Sequence, residues 1–84
     1  MPYIPQDSRA PYDDALENCP VNITTPVGHL NYYLTKIILG YLGNANYQKF
    51  VEVEGVLHHI SHEIYRRRTA AYEDDKARLN SDLF

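Results

Sequence analysis

The chain has 84 residues, a net charge of −3, one cysteine, eight tyrosines and no tryptophan. That length leaves room for one domain, whose core supplies only about 3–5 kcal/mol unaided, so regular helix packing or oligomerisation is expected to add the rest. The single cysteine, Cys19, excludes an internal disulfide framework and a cysteine-based zinc module; the negative charge disfavours a DNA or RNA coat protein, and no apolar run approaches the roughly 20 residues of a membrane span.

Residues 1–7 (MPYIPQD) read as an extended arm, because Pro2 and Pro5 forbid a helix interior, with Tyr3 and Ile4 as apolar anchors. The arm has neither a basic nor an apolar leader region, so a soluble cytoplasmic chain is expected. A short helix is predicted at about 8–18, capped by Ser8 or Asp7, with Pro11 in its first turn and Tyr12, Ala15 and Leu16 on one stripe. Asp13, Asp14 and Glu17 face water, and Pro20 stops the helix. Asn22-Ile23-Thr24 matches a glycosylation sequon, which carries no meaning inside a cell.

The second helix has Thr25 as N-cap and Pro26 at its first position. Leu30, Tyr33, Leu34, Ile37, Ile38, Tyr41 and Leu42 keep helical spacing without a miss, and Gly43-Asn44 ends the run. Tyr32 and Leu39 lie off the stripe and imply cover on a second side. A third, long helix starts near Asn46 and runs to about 78. Phe50, Val53, Leu57, Ile60 and Ile64 step by three and four, a heptad-like seam whose next positions are Arg67 and Ala71. From Tyr72 the chain is charged, so the helix either continues solvated or breaks near 69–71, and residues 79–84 leave an apolar tail. The short connection at 43–46 makes an antiparallel hairpin of the two longer helices. The expected architecture is a single all-α domain over 1–84, oligomeric through the long helix because two helices cannot cover every apolar face.

Candidate chemistry is sparse. His58 and His62 share a helical face with Glu54, and His29 or Cys19 could complete a zinc site, but the order fits neither H-E-x-x-H nor H-x-x-E-H. A polar face with ordinary hydrogen bonds is the simpler account, and no metal or other cofactor is expected. The paired carboxylates Asp13-Asp14 and Asp74-Asp75 sit in hydrophilic stretches, where separated pKa values are not generated. Cys19 follows a helix C-terminus and an acidic run, both of which oppose a thiolate. No catalytic set emerges, so an enzyme is not expected.

The most suggestive feature is Tyr65-Arg66-Arg67-Arg68. Guanidinium groups bind phosphate bidentately and tyrosine rings stack on bases. Successive helical residues point about 100° apart, so one subunit cannot aim all three arginines at one ligand. Arg67, on the seam, needs a carboxylate or an anion if covered, and Glu63 is one candidate. An Arg–Glu network without ligand is the competing account. Tyr32, Tyr33, Asn31 and Tyr72, with His59 or His62 as donors, are further ligand candidates.

Met1-Pro2-Tyr3-Ile4-Pro5, Gly28-His29-Leu30-Asn31-Tyr32, Gly55-Val56-Leu57, and Tyr65-Arg66-Arg67 followed by Tyr72-Glu73-Asp74 and Lys76 carry a resemblance that covers most of the chain. The sequence resembles a family of small proteins of about this length, encoded mostly by bacteriophages and prophages, with no established activity. Where that family commonly has Pro before Tyr-Glu-Asp and an Asn-Gly-Asp near its end, this chain has Ala71 and Asn80-Ser81-Asp82. Those departures argue against a helix break at 71 and a tight turn at 81. The phage context that the resemblance implies suggests a non-enzymatic anti-defence protein. It would sequester a nucleotide-derived signal, of cyclic oligonucleotide or cyclic ADP-ribose type, at helical subunit interfaces. The alternative is a protein–protein interaction module acting on a host or phage protein. A homo-oligomer and a small phosphorylated ligand are the expected partners; membranes and nucleic-acid polymers are not.

Overall fold

The computed structural model describes residues 4–82, all helix, turn and loop. The expected arm falls partly outside them. Within them, Gln6–Ser8 form a 3-10 turn rather than extended chain, closed by Ser8 N–H on the Pro5 carbonyl at 3.0 Å. The Arg9 guanidinium donates to the Ile4 carbonyl at 3.2 and 3.3 Å and holds this turn against its own backbone.

The chain divides into two bodies, Met1–Asn44 and Ala45–Phe84. The first carries α1 (Ala10–Leu16) and α2 (Val27–Leu42). α1 is shorter than its pattern suggests. Arg9, not Ser8 or Asp7, occupies the N-cap position, and no side chain caps the helix, because a guanidinium carries only donors and cannot accept from the first N–H groups of α1. In α2 the cap is shifted by one residue. Pro26 itself is the N-cap, with ψ 145°, and its carbonyl accepts from His29 N–H at 3.0 Å. Thr25 is occupied elsewhere: its hydroxyl oxygen accepts from Asn22 N–H at 2.9 Å. Asn22 Oδ1 in turn accepts from the Thr24 N–H and hydroxyl at 2.9 and 2.6 Å. The sequon residues thus build an Asx turn that leads the chain into α2. Gly43 ends the helix at φ 51°, where a Cβ would be strained, and donates its N–H to the Leu39 carbonyl at 3.0 Å.

The second body is one long helix in three parts: α3 (Tyr47–Ile64), a π turn (Tyr65–Thr69) and α4 (Ala70–Asn80). Asn46 starts it as expected, its Oδ1 accepting from Lys49 N–H at 3.1 Å. The helix does not break at 69–71. Ile64, Tyr65, Thr69 and Ala70 all keep right-handed helical angles, and Ala71, unlike a proline, leaves the backbone bonds in place. Ala70 N–H instead donates to the carbonyl of Tyr65, five residues back, so one extra residue is taken into that turn. This corrects the expected seam. After Ile64 the three-and-four spacing resumes one residue late, at Arg68, Tyr72, Asp75 and Leu79, and Arg67 is carried off the seam. Ser81 ends the helix at φ 71°; Leu83 and Phe84 of the expected tail lie outside the described residues.

No described residue of either body is buried. Phe50, Leu57, Ile60 and Ile64 of the seam are 43, 43, 48 and 55% exposed, and on α2 Leu34, Ile37 and Tyr41 are also open to solvent. The chain exposes 7832 Å² of surface. Two separately compact bodies of half its mass would together expose only roughly 6,200 Å². Helices of 7 and 16 residues gain little from propensity alone, so their stability must come from covering these faces.

Two substitutions test the helix ends. Asn46→Ala removes the only side-chain cap on a described helix and is expected to cost about 1 kcal/mol in thermal unfolding. Ser81→Gly relieves the left-handed φ and is expected to raise amide protection in the last turn of α4, read by hydrogen exchange.

Candidate functional site

The Asx turn and the start of α2 shape one concavity within the first body. It is an open cavity of about 570 Å³, lined by Pro20, Val21, Thr25, His29, Tyr32 and Tyr33. His29, Tyr32 and Tyr33 are spaced i, i+3 and i+4, so one helix face supplies three aromatic rings. Pro20, Val21 and Thr25 of the preceding loop supply the rest of the lining, in a loop shaped by the Asn22 and Thr25 hydrogen bonds. The lining is mainly apolar, and a volume of this size suits a small molecule. Lys36, one turn after Tyr32, holds its ammonium 5.9 Å from the ring centroid, placing a cation beside the aromatic surface. Asn31 is not part of the lining: Thr35 Oγ1 donates to its carbonyl at 2.8 Å and to its Oδ1 at 3.2 Å.

The arginine cluster belongs to the second body and is organised by one carboxylate. Glu63 Oε2 accepts from Arg67 Nε at 2.8 Å and from Arg66 at 3.1 Å. Hydrogen bonds from Arg66 and then Arg67 hold the Glu63 carboxyl down at about 2, against an ordinary 4.5. Both guanidinium side chains remain more than half exposed, so solvent screens the pairs and they add little stability. The geometry matches the Arg–Glu network weighed in the sequence: two of the three arginines already have an anion. Arg68, the residue that the π turn brings to the seam, has no ion-pair partner among the described residues.

The remaining candidates fall into place around these two sets. Tyr65 opens the π turn and is half exposed, as is Tyr72. Lys76 stands over the Tyr72 ring at 5.6 Å, repeating the Tyr32–Lys36 arrangement. His59 and His62 lie on α3, with the His59 ring tilted 53° to that of His58 at 6.2 Å. Among the described residues no three of His, Cys, Asp and Glu gather around a point where a metal ion would sit. Tyr32 and Tyr33 are brought together; Tyr65, Arg66, Arg67 and Arg68 share one turn. Sequence reading missed Lys36, Lys76 and the pocket role of His29. The signal for the lysines was present as Tyr-x-x-x-Lys at 32–36 and 72–76.

The Glu63 pairing carries a definite pH dependence. Because its carboxyl titrates below the ordinary value, the pairing is complete above pH 4.5 and is lost as pH falls towards 2. A side-chain carbon NMR titration is expected to place the Glu63 midpoint well under 4.5. In Glu63→Gln both guanidinium groups lose the Glu63 carboxylate charge, and binding of pyrophosphate, read by calorimetry, is expected to strengthen a few-fold.

A family model described as a domain of unknown function (DUF6899) matches residues 1–83, and the chain belongs to that family. No curated protein and no solved structure matches it.

Proposed function

We propose that this member of the DUF6899 family is a non-enzymatic association protein, one that acts by binding and completes its fold on a partner surface. The observation that carries this reading is the absence of any buried residue among those described, beside a long list of large apolar side chains left open to water. Monomeric proteins rarely leave such continuous apolar faces uncovered, and faces of this kind mark interaction surfaces. No helix among the described residues is long and apolar enough to cross a membrane. The phage context implied by the sequence resemblance adds a host or phage protein to the classes of partner. An expected consequence is that the purified chain, wherever it lacks its partner, binds dye to exposed apolar surface and melts without a sharp transition. Full helicity with one sharp melting transition independent of concentration would overturn the reading.

A second reading is favoured by the Tyr32–Tyr33–His29 pocket and its adjacent Lys36: capture of a nucleotide-derived signal, with a base against the tyrosine rings and the ammonium near a phosphate. Stacking on one aromatic ring contributes about 1–3 kcal/mol. Native mass spectrometry with cyclic di- and trinucleotides and cyclic ADP-ribose isomers is then expected to show one discrete mass increment, weakened about tenfold or more in Tyr32→Ala. No increment with any of them removes this reading and leaves the first intact.

A further inference from the structure

We propose that a second copy of this chain docks along the seam of the long helix, and that the π turn keeps this seam continuous from Phe50 to Leu79. The inference rests on the association reading and names its partner. Three features carry it. The first is spacing. Phe50, Val53, Leu57, Ile60 and Ile64 alternate steps of three and four, the pattern in which side chains of one helix enter holes on another. A copy of the same helix offers the same knobs and holes, so such a seam is complementary to itself.

The second feature is the register. In an unbroken α-helix the seam after Ile64 would meet Arg67 and Ala71. The bond from Ala70 N–H to the Tyr65 carbonyl absorbs one residue, and the seam passes to Arg68, Tyr72, Asp75 and Leu79 instead. Two large side chains, Tyr72 and Leu79, each more than 60% exposed, thereby join the apolar line. Arg67 leaves it and stays with Glu63. Arg68 and Asp75 remain as polar seam positions of the kind that select register at a cost in stability.

The third feature is size. The three parts of the helix have 18, 5 and 11 residues, roughly five heptads and about 50 Å of helix, more than a stable coiled coil requires.

Sedimentation of the full-length protein, run beside its thermal unfolding, tests the proposal. A discrete oligomer at micromolar concentration is expected. Ile60→Glu should abolish it, Ile60→Ala should weaken it more than about tenfold, and Gln48→Glu, which places the same carboxylate on the opposite face, should leave it unchanged. Two length variants test the register without touching the apolar residues. Deleting Thr69 removes the extra residue, so the oligomer should persist. Inserting an alanine after Thr69 turns Tyr72 and Leu79 off the seam, so it should weaken. The reverse pattern overturns the continuous seam. A monomer that melts without a sharp transition overturns self-docking and leaves the association reading standing with a different partner. A monomer with a sharp, concentration-independent transition overturns both.

Discussion

A helix in water is held less by its own hydrogen bonds than by whatever covers its apolar stripe. That constraint governs this chain, because its stripes are well formed and only partly covered: Tyr33, Ile38, Leu42 and Val53 are half-buried and the other stripe positions are exposed. α2 presents seven apolar positions in helical spacing, the long helix presents a heptad seam, and no described residue on either is buried. The local devices that start and stop these helices are in order: the Asn46 cap, the Gly43 terminus and the Asx turn at 22–25 all satisfy backbone groups at the ends. Among the described residues no apolar side chain is fully buried. The proposed association rests on that imbalance rather than on any single residue.

The π turn is where local geometry and association meet. A five-residue π segment has poorer hydrogen-bond geometry than α-helix and persists when the surroundings favour it. Here it performs two operations at once. It moves Tyr72 and Leu79 into line with the seam and takes Arg67 off it, leaving Arg67 paired with Glu63, whose other partner, Arg66, completes a three-residue cluster. The arginines that looked most like a phosphate site are therefore largely committed within their own helix. Only Arg68 is left without an ion pair among the described residues, and it sits where a second helix would meet it.

The pocket on the first body has a different character. Its rings come from one face of α2 and the rest of its lining from a loop held by side-chain-to-backbone bonds, while Lys36, outside the lining, stands 5.9 Å from the Tyr32 ring. The repeat of a tyrosine with a lysine one turn later, at 32–36 and 72–76, gives the chain two aromatic surfaces each flanked by a positive charge.

Much of the helical content was legible in the residues alone. The second helix and the start of the third could be read to within about one residue, because apolar spacing, Asn46 and Gly43 are local signals that act over a single turn. Continuity through 69–72 was open in the sequence, since both a solvated helix and a break satisfy the same charged residues. Backbone hydrogen bonding decided it, by the choice of a five-residue step at Tyr65 that no side-chain pattern announces. The same step moved the seam from Arg67 to Arg68, an error that periodicity is bound to make because it assumes a constant turn. The cap of α2 shifted from Thr25 to Pro26 for a related reason: the Thr25 hydroxyl had a competing partner in Asn22 N–H. The residue types and their spacing determined which faces are apolar and where helices begin; only the folded backbone decided which residues those faces bring into line.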